Sequence, residues 1–309
     1  MSKRVLITGS EGFTGKYVCD EFCRAGWEVW GAGLQPKPDD AQYLQIDLLN
    51  PDTLKPIADK IKPDVVIHLA AIAFVAEKDP NIFYQVNLMG TRHLLEVLAN
   101  AKKPPECTIL ASSANVYGNS DLAVLSEDSP VNPANDYAVS KLAMEYMAKT
   151  FMDRLPITIT RPFNYTGVGQ SERFLIPKIV AHFARKADVI ELGNLNVARD
   201  FSDVRDIARY YLRTAERMPA GKTINLCSGF ATPLSLILDQ TQEFSKHSLE
   251  VRSLTELKRS NEVQSLAGDK TLQTKILGEE MGFSVRETLA WMIANYEQPL
   301  APSPRASEN

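Results

Sequence analysis

Tyr137-Ala138-Val139-Ser140-Lys141 sets a phenol and an ammonium one helical turn apart, so a helix through this stretch presents both on one face. A phenol at its ordinary pKa of about 10 is a poor base at neutral pH, and a neighbouring cation favours its phenolate. Such a phenol can give a proton to a carbonyl oxygen or take one from a hydroxyl. The spacing alone is common in helices that do no chemistry, so its weight comes from the residues around it. Ser112-Ser113 follow the apolar run at 108–111, at the C-terminal end of a predicted parallel strand, where an open α/β sheet places its ligands. A serine hydroxyl there can hydrogen-bond the same substrate oxygen.

A second chemical element opens the chain. Thr8-Gly9-Ser10-Glu11-Gly12-Phe13-Thr14-Gly15 lies between an apolar run and a predicted helix, with glycines at G-x-x-G-x-x-G spacing. Gly9 permits the tight turn, Gly12 lets backbone approach a pyrophosphate, and Gly15 lets the helix pack closely. The helix N-terminal amides, with Phe13 and Thr14 among them, then suit an anion. A structural turn can also use such glycines, but this position between first strand and first helix points to a dinucleotide. A free ribose 2′-hydroxyl usually meets an Asp or Glu after the second strand. Here that stretch reads Trp30-Gly31-Ala32-Gly33-Leu34, without an acid, and Lys37 is the nearby cation. NADPH is therefore favoured over NADH. Asp47-Leu48 are candidates for the adenine edge, with a helix cap before Pro51 as the structural alternative for Asp47.

Elements must hold these groups together. Continuous Val/Ile/Leu runs predict strands at 4–8, 28–32, 43–46, 65–69, 108–111 and 157–160, buried on both faces. Helical spacing predicts helices at 13–25, 51–61, 82–101 and 137–152. The alternation implies βαβ units: an α/β, doubly wound, Rossmann-type parallel sheet with a smaller mixed α/β C-terminal domain that binds substrate. Residues 1–163 are assigned to the dinucleotide-binding domain, with segments near 200–230 returning to it, for instance 223–226 as an added strand. Residues 164–298 are mainly the substrate domain, and 299–309 read as a disordered polar tail.

Composition removes other classes. The 309 residues carry a formal charge of -4, which gives no basic footprint for nucleic acid. No apolar stretch reaches the length of a membrane span, and the N-terminus lacks a signal-peptide core, so a cytoplasmic protein is expected. Cys19, Cys23, Cys107 and Cys227 have no CxxC spacing and read as buried thiols; the 4 histidines lack ligand spacing, so no metal is expected.

Taken in order, Thr8-Gly9-x-x-Gly12-Phe13-x-Gly15, His68-Leu69-Ala70-Ala71, Asn87-x-x-Gly90-Thr91, Ser112-Ser113-x-x-x-Tyr117-Gly118, Tyr137-x-x-x-Lys141, Arg161-Pro162-Phe163-Asn164 and Arg199-Asp200-Phe201-x-Asp203-Val204-x-Asp206 resemble the extended short-chain dehydrogenase/reductases that act on nucleotide sugars. The likeness spans nearly the whole chain. It implies a Ser113/Tyr137/Lys141 triad with Lys141 also on the nicotinamide ribose, and a cofactor lined by Leu69, Ala70 and Ala71. It further implies substrate contacts from Ser113, Asn115, Asn164, Lys178 and Arg199, and a homodimer built on helices 82–101 and 137–152. Guanidinium suits a diphosphate, although Arg199 could instead pair with Asp200 or Asp203.

Within that family, dehydratases carry a Glu two residues past the serine, and the GDP-fucose synthase branch a Cys. Here Ala114 and Asn115 can serve neither as acid nor base. Reduction of a 4-keto group by exchangeable NAD(P)H and C4 epimerisation with retained NAD remain. The motifs around 161–170, 193–206 and 225–229 are similar to those of the GDP-4-keto-6-deoxy-mannose reductases, which favours reduction. A non-catalytic dinucleotide sensor is the remaining alternative, disfavoured by the Tyr/Lys pair.

Overall fold

A computed structural model describes residues 2–74, 78–257, 263–279 and 282–297. The chain opens with β1 (Arg4–Thr8), α1 (Phe13–Arg24), β2 (Glu28–Gly33), β3 (Tyr43–Gln45), β4 (Val65–His68), α2 (Thr91–Ala99) and β5 (Cys107–Ala111). There follow β6 (Val124–Leu125), α3 (Asp136–Lys149), β7 (Ile157–Pro162), β8 (Asn164–Thr166), α4 (Leu175–Ala184), β9 (Val189–Leu192) and β10 (Ala198–Asp203). The last elements are α5 (Val204–Arg217), β11 (Thr223–Leu226), β12 (Ala231–Pro233), α6 (Leu234–Ser245), β13 (Glu250–Ser253), β14 (Ser265–Gly268), α7 (Thr271–Leu277) and α8 (Val285–Ala294).

Seven strands form one sheet in the order β11-β7-β5-β4-β1-β2-β3, and every neighbouring pair is parallel. The Val/Ile/Leu content of β1, β4 and β7 follows from burial on both faces, whereas β2 and β3, at the sheet's outer side, are only partly buried. Phe22 of α1, Ile207 and Tyr211 of α5 and Leu277 of α7 cover one face. Leu94 and Leu98 of α2 with Met144 and Ala148 of α3 cover the other. The order reverses between β1 and β4, which opens a crevice at the C-terminal strand ends. A smaller sheet, β12-β10-β14-β6 with β8 on β10, stands beside it, and α4, α6 and α8 bury a separate apolar cluster.

Some local expectations change. Residues 51–61 are a 3-10 turn (Pro51–Leu54) and a wide π-type turn (Ile57–Ile61), since Pro56 lacks an N–H and Lys62 closes the segment in the left-handed region. The helix expected at 82–101 is wide-turned over Phe83–Gly90 and becomes α-helical only in α2. Of the four thiols, Cys107 and Cys227 are buried, but Cys19 is half-buried and Cys23 exposed. Cys23 lies on the outer side of α1, whereas Cys19 packs partly against the core beside Val18 and Phe22. The tail expected at 299–309 lies outside the described residues. No helix among those described is long and apolar enough to cross a membrane.

A buried ion pair ties β7 to α3 at the C-terminal strand ends. Arg161 at the end of β7 forks onto Glu145 of α3, with Nε–Oε1 at 2.9 Å and Nη2–Oε2 at 2.7 Å. Ser112 Oγ donates to the same Oε1 at 2.5 Å. Arg161 Nη1 also donates to Tyr117 Oη, which donates to Asn225 Oδ1 on β11. Desolvation makes such a pair a poor source of net stability, but losing one partner strands a buried charge. Glu145→Ala is expected to lower unfolding stability by about 3–5 kcal/mol, read as a shifted urea midpoint, and the Glu145→Met/Arg161→Met double variant by clearly less.

Candidate active site

Three loops meet at the switch point. After β1, Gly9 adopts a φ of +72°, and its N–H binds Ala32 O of β2 at 2.7 Å. A Cβ on Gly9 would lie 2.8 Å from Ala70 N, and one on Gly15 2.1 Å from Gly9 O, so both positions require glycine. At Gly12 the nearest atom to such a Cβ is Gly9 O at 3.2 Å. Removing that side chain therefore keeps the turn's outer surface low, where a pyrophosphate would lie against the start of α1. Ser10 Oγ, buried in the same turn, has no hydrogen-bond partner among the described residues. The turn thus fits a dinucleotide phosphate. A bound nicotinamide dinucleotide would supply or accept hydride here.

The loop after β4 is fixed by a buried relay. Thr91 Oγ1 donates to Asn87 O, so it accepts from His68 Nε2 at 2.9 Å. His68 Nδ1 is then left to accept from Thr8 Oγ1 at 2.7 Å, and Thr8 Oγ1 in turn accepts from Ala70 N. Burial, aided by the Lys141 charge, pushes the His68 pKa down to about 3, so the ring stays neutral and serves as a strut. Asn87 clamps Ile72 through both its backbone groups and donates to Ser140 Oγ, which donates to Tyr137 O. The loop Leu69–Ala71 and the helix carrying Tyr137 are held as one unit.

Ser113, Tyr137 and Lys141 converge at the end of β5, each at most 8 % exposed. Asn135 caps α3 by accepting from Ala138 N, which starts the helix in the register that turns Tyr137 and Lys141 inward. Tyr137 packs edge-on against Phe83. Its pKa is pushed up to about 12 by burial, against a hydrogen bond from Ser113 that favours the phenolate. The lowering by Lys141 expected from spacing is not what dominates: the Lys141 ammonium donates to Ala111 O at 2.8 Å. Burial pulls the Lys141 pKa down to about 8, against the opposing pull of Glu145. Asn115 is exposed, and its N–H and Nδ2 both donate to Ser113 Oγ, at 3.2 and 3.0 Å. With its lone pairs so engaged, Ser113 keeps its own proton for Tyr137 or a substrate oxygen.

On the facing side, Asn164 is exposed at the start of β8 and donates to Asp200 O at 3.2 Å. Asp200 is fully buried, and its oxygens accept from the backbone of Ser228, Gly229 and Gly268 and from Ser228 Oγ. Asp203 pairs with Arg205. Arg199 Nη1 donates to Ala198 O at 2.9 Å and to Gln264 O at 3.4 Å. Lys178 donates to Glu191 O and so braces α4 against β9. Asp47 accepts from Leu49 N, while Asn50, not Asp47, caps the turn at Pro51. Leu48 is buried, with its carbonyl on His93. Tyr165, absent from the expected set, reaches across to Thr14 Oγ1 at 2.8 Å and stacks on Phe13. The described residues contain no cluster fit to hold a metal.

With this geometry in place, comparison with known proteins is specific. Residues 5–227 match the model of the NAD dependent epimerase/dehydratase family, and the chain belongs to that family. It is an NAD(P)-dependent enzyme of the kind that acts as a sugar-nucleotide epimerase, dehydratase or reductase. It is 34% identical to GDP-6-deoxy-D-talose 4-dehydrogenase of Aggregatibacter actinomycetemcomitans, over 94% of this chain and 97% of that one. It is 31% identical to GDP-6-deoxy-D-mannose reductase of Pseudomonas aeruginosa, over 96% and 98%. Among solved structures, a provisionally assigned epimerase from Burkholderia cenocepacia is 46% identical with a TM-score of 0.89, covering 95% of this chain and 97% of that one. RMD from Pseudomonas aeruginosa, complexed with NADPH, is 29% identical with a TM-score of 0.82, covering 95% and 98%.

Lys141 offers a test of the site's electrostatics. Its folded pKa near 8 lies below the ordinary value of 10.5, so the buried charge penalises the fold fully below pH 8. That penalty fades as pH rises from about 8 to 10.5. Lys141→Met is therefore expected to stabilise the protein without cofactor at pH 7, by on the order of 1–3 kcal/mol. Thermal melts across pH should show the gain shrinking above pH 8; a gain independent of pH would contradict the burial argument.

Proposed function

We propose that the enzyme reduces the 4-keto group of a nucleotide-linked 4-keto-6-deoxy sugar, with GDP-4-keto-6-deoxy-mannose as the favoured substrate and NAD(P)H as hydride donor. The observation that carries this reading is Asn115. Where elimination needs an acid or base, an amide is bound to Ser113 Oγ at 3.0 Å, so the site keeps hydride and proton transfer and lacks proton abstraction from carbon. Tyr137 fits the proton-donor role: burial raises its phenol's pKa, and a phenol protonated at neutral pH can donate to a carbonyl oxygen. Ser113 presents its proton to the same oxygen, and Lys141 replaces the proton that Tyr137 gives up. Arg199 and Asn164 suit the diphosphate, with Lys178 further along α4. The reductase and the 4-dehydrogenase among the relatives are both named for GDP-linked 6-deoxy sugars.

C4 epimerisation with retained NAD is the second reading, favoured by the likeness to the Burkholderia protein; the same three side chains would serve it. Incubation with NADH or NADPH and a panel of nucleotide 4-keto-6-deoxy sugars should give stoichiometric cofactor oxidation, with no action on GDP-mannose alone. Interconversion of two hydroxylated sugars without added cofactor would replace the reductase by the epimerase.

Side-chain exchanges test the roles. Tyr137→Phe should lower kcat by about 10²–10⁴ with cofactor affinity kept. Asn115→Asp turns a donor to Ser113 into an acceptor, so activity should fall roughly tenfold at neutral pH and recover in part as pH drops through the carboxylate range.

We also assign the enzyme to the cytoplasm and to a homodimer. Met89, Val139 and Tyr146 stand 43%, 37% and 58% exposed on the two helical segments assigned to the interface, and self-complementary pairing is the commonest way to cover such a face. Sedimentation at micromolar concentration should show a dimer, and Tyr146→Glu should shift it toward monomer.

A further inference from the structure

The end of β2 carries glycine where a ribose-binding acid would stand, but the space beside it is filled. A Cβ built on Gly33 would lie 2.6 Å from Tyr43 Oη and 3.1 Å from Glu11 Oε2. Glu11 comes from the phosphate turn, two residues past Gly9, and its Oε2 accepts from Tyr43 Oη at 2.9 Å. Lys37 stands 3.4 Å from Glu11 Oε1 and 4.9 Å from the Tyr43 ring centroid. Tyr43 from β3 and Lys37 from the loop after β2 thus hold the turn's Glu11 carboxylate at the place from which the strand itself supplies none.

Resting on the assignment of this turn to the dinucleotide, we infer that Glu11 is the ribose-recognising acid and that the enzyme prefers NADH to NADPH. A 2′-hydroxyl can donate to a carboxylate oxygen, and the bond is strengthened by the charge. A 2′-phosphate brings about -1.5 to -2 charges at pH 7 and only acceptor oxygens, so it faces Glu11 with repulsion and no hydrogen bond. Lys37 does not reverse the balance, because its single charge is already matched by Glu11. The pair is also partly exposed, with side chains 41% and 30% accessible, which weakens it as a phosphate clamp. Tyr43 cannot compensate either: its one proton is already donated to Glu11 Oε2 or to Gln35 O. The missing acid after β2 that favours NADPH on sequence grounds is thus replaced in space by an acid from the turn.

Direct titration decides this without turnover, by nicotinamide fluorescence of NADH or NADPH bound to the full-length protein in the absence of sugar. The wild type is expected to bind NADH at least about tenfold more tightly than NADPH. Glu11→Gln, which is isosteric, and Glu11→Ser are expected to narrow that ratio by roughly tenfold, mainly through tighter NADPH binding. The wild-type preference should also shrink with added salt, since the charges involved are partly exposed. Equal or tighter binding of NADPH by the wild type, or an unchanged ratio in both folded variants, overturns the role of Glu11 and leaves the dinucleotide site standing. Failure to bind either dinucleotide overturns the cofactor assignment itself.

Discussion

The buried fork between Arg161 and Glu145 is the constraint on which the catalytic geometry rests. Glu145 is one turn beyond Lys141 on α3, Arg161 ends β7, and Ser112 adjoins Ser113 at the end of β5. Three separately wound elements therefore share one set of charge-assisted hydrogen bonds, which carry more directional preference than apolar packing does. The fork also sets the charge balance under the site, since Glu145 holds up the Lys141 pKa that burial lowers. Whatever net stability the pair contributes, its geometric role is to fix where the serine, the phenol and the ammonium meet.

A second frame, neutral rather than ionic, runs through Thr8, His68, Thr91 and Asn87 to Ser140. Every donor in it meets an acceptor, as buried polar chains require if they are to stiffen a fold. It couples the phosphate turn and the loop after β4 to α3. A crevice formed by the ends of separate strands is thereby given a fixed depth, suited to a two-headed ligand that must reach from the turn to the phenol.

The local parts of this site were legible in the sequence. The glycine turn, Ser113 and the Tyr137/Lys141 pair each depend on spacings of a few residues that one strand end or one helix face imposes. The parallel sheet was legible because its central strands are buried on both faces and read as apolar runs, and 223–226 lies beside β7 as expected, while β2 and β3 are only partly buried. What escaped was non-local. Glu145 and Arg161 are 16 positions apart, and Tyr117 and Asn225 are 108 apart, so their pairing exists only in the fold. Glu145 left one trace, an acid continuing the i,i+4 face of Tyr137 and Lys141. Tyr165 on Thr14 and Glu11 beside Gly33 left none, because each crosses between segments that propensity treats as unrelated. The wide turn at Phe83–Gly90 escaped for another reason: its apolar residues still repeat as a helix does, and only the placing of Asn87 against Ile72 shows why the backbone opens.

The smaller sheet takes β6 from residues 124–125 and pairs it with β14 at 265–268, while β11 at 223–226 completes the edge of the large sheet. On the ribosome, the large sheet therefore waits for its β11 edge, and β6 for its β14 partner, after the first half of the chain has emerged. Loop closures of this length are slow to pair, and the waiting strand edges are apolar and open to other chains. The threading that brings Tyr165 and Phe163 beside the phosphate turn and Tyr117 thus has a biosynthetic cost. The nascent chain carries an unpaired β7 edge until residues 223–226 emerge and an unpaired β6 until residues 265–268 do, as a chain of two consecutive, self-contained domains would not.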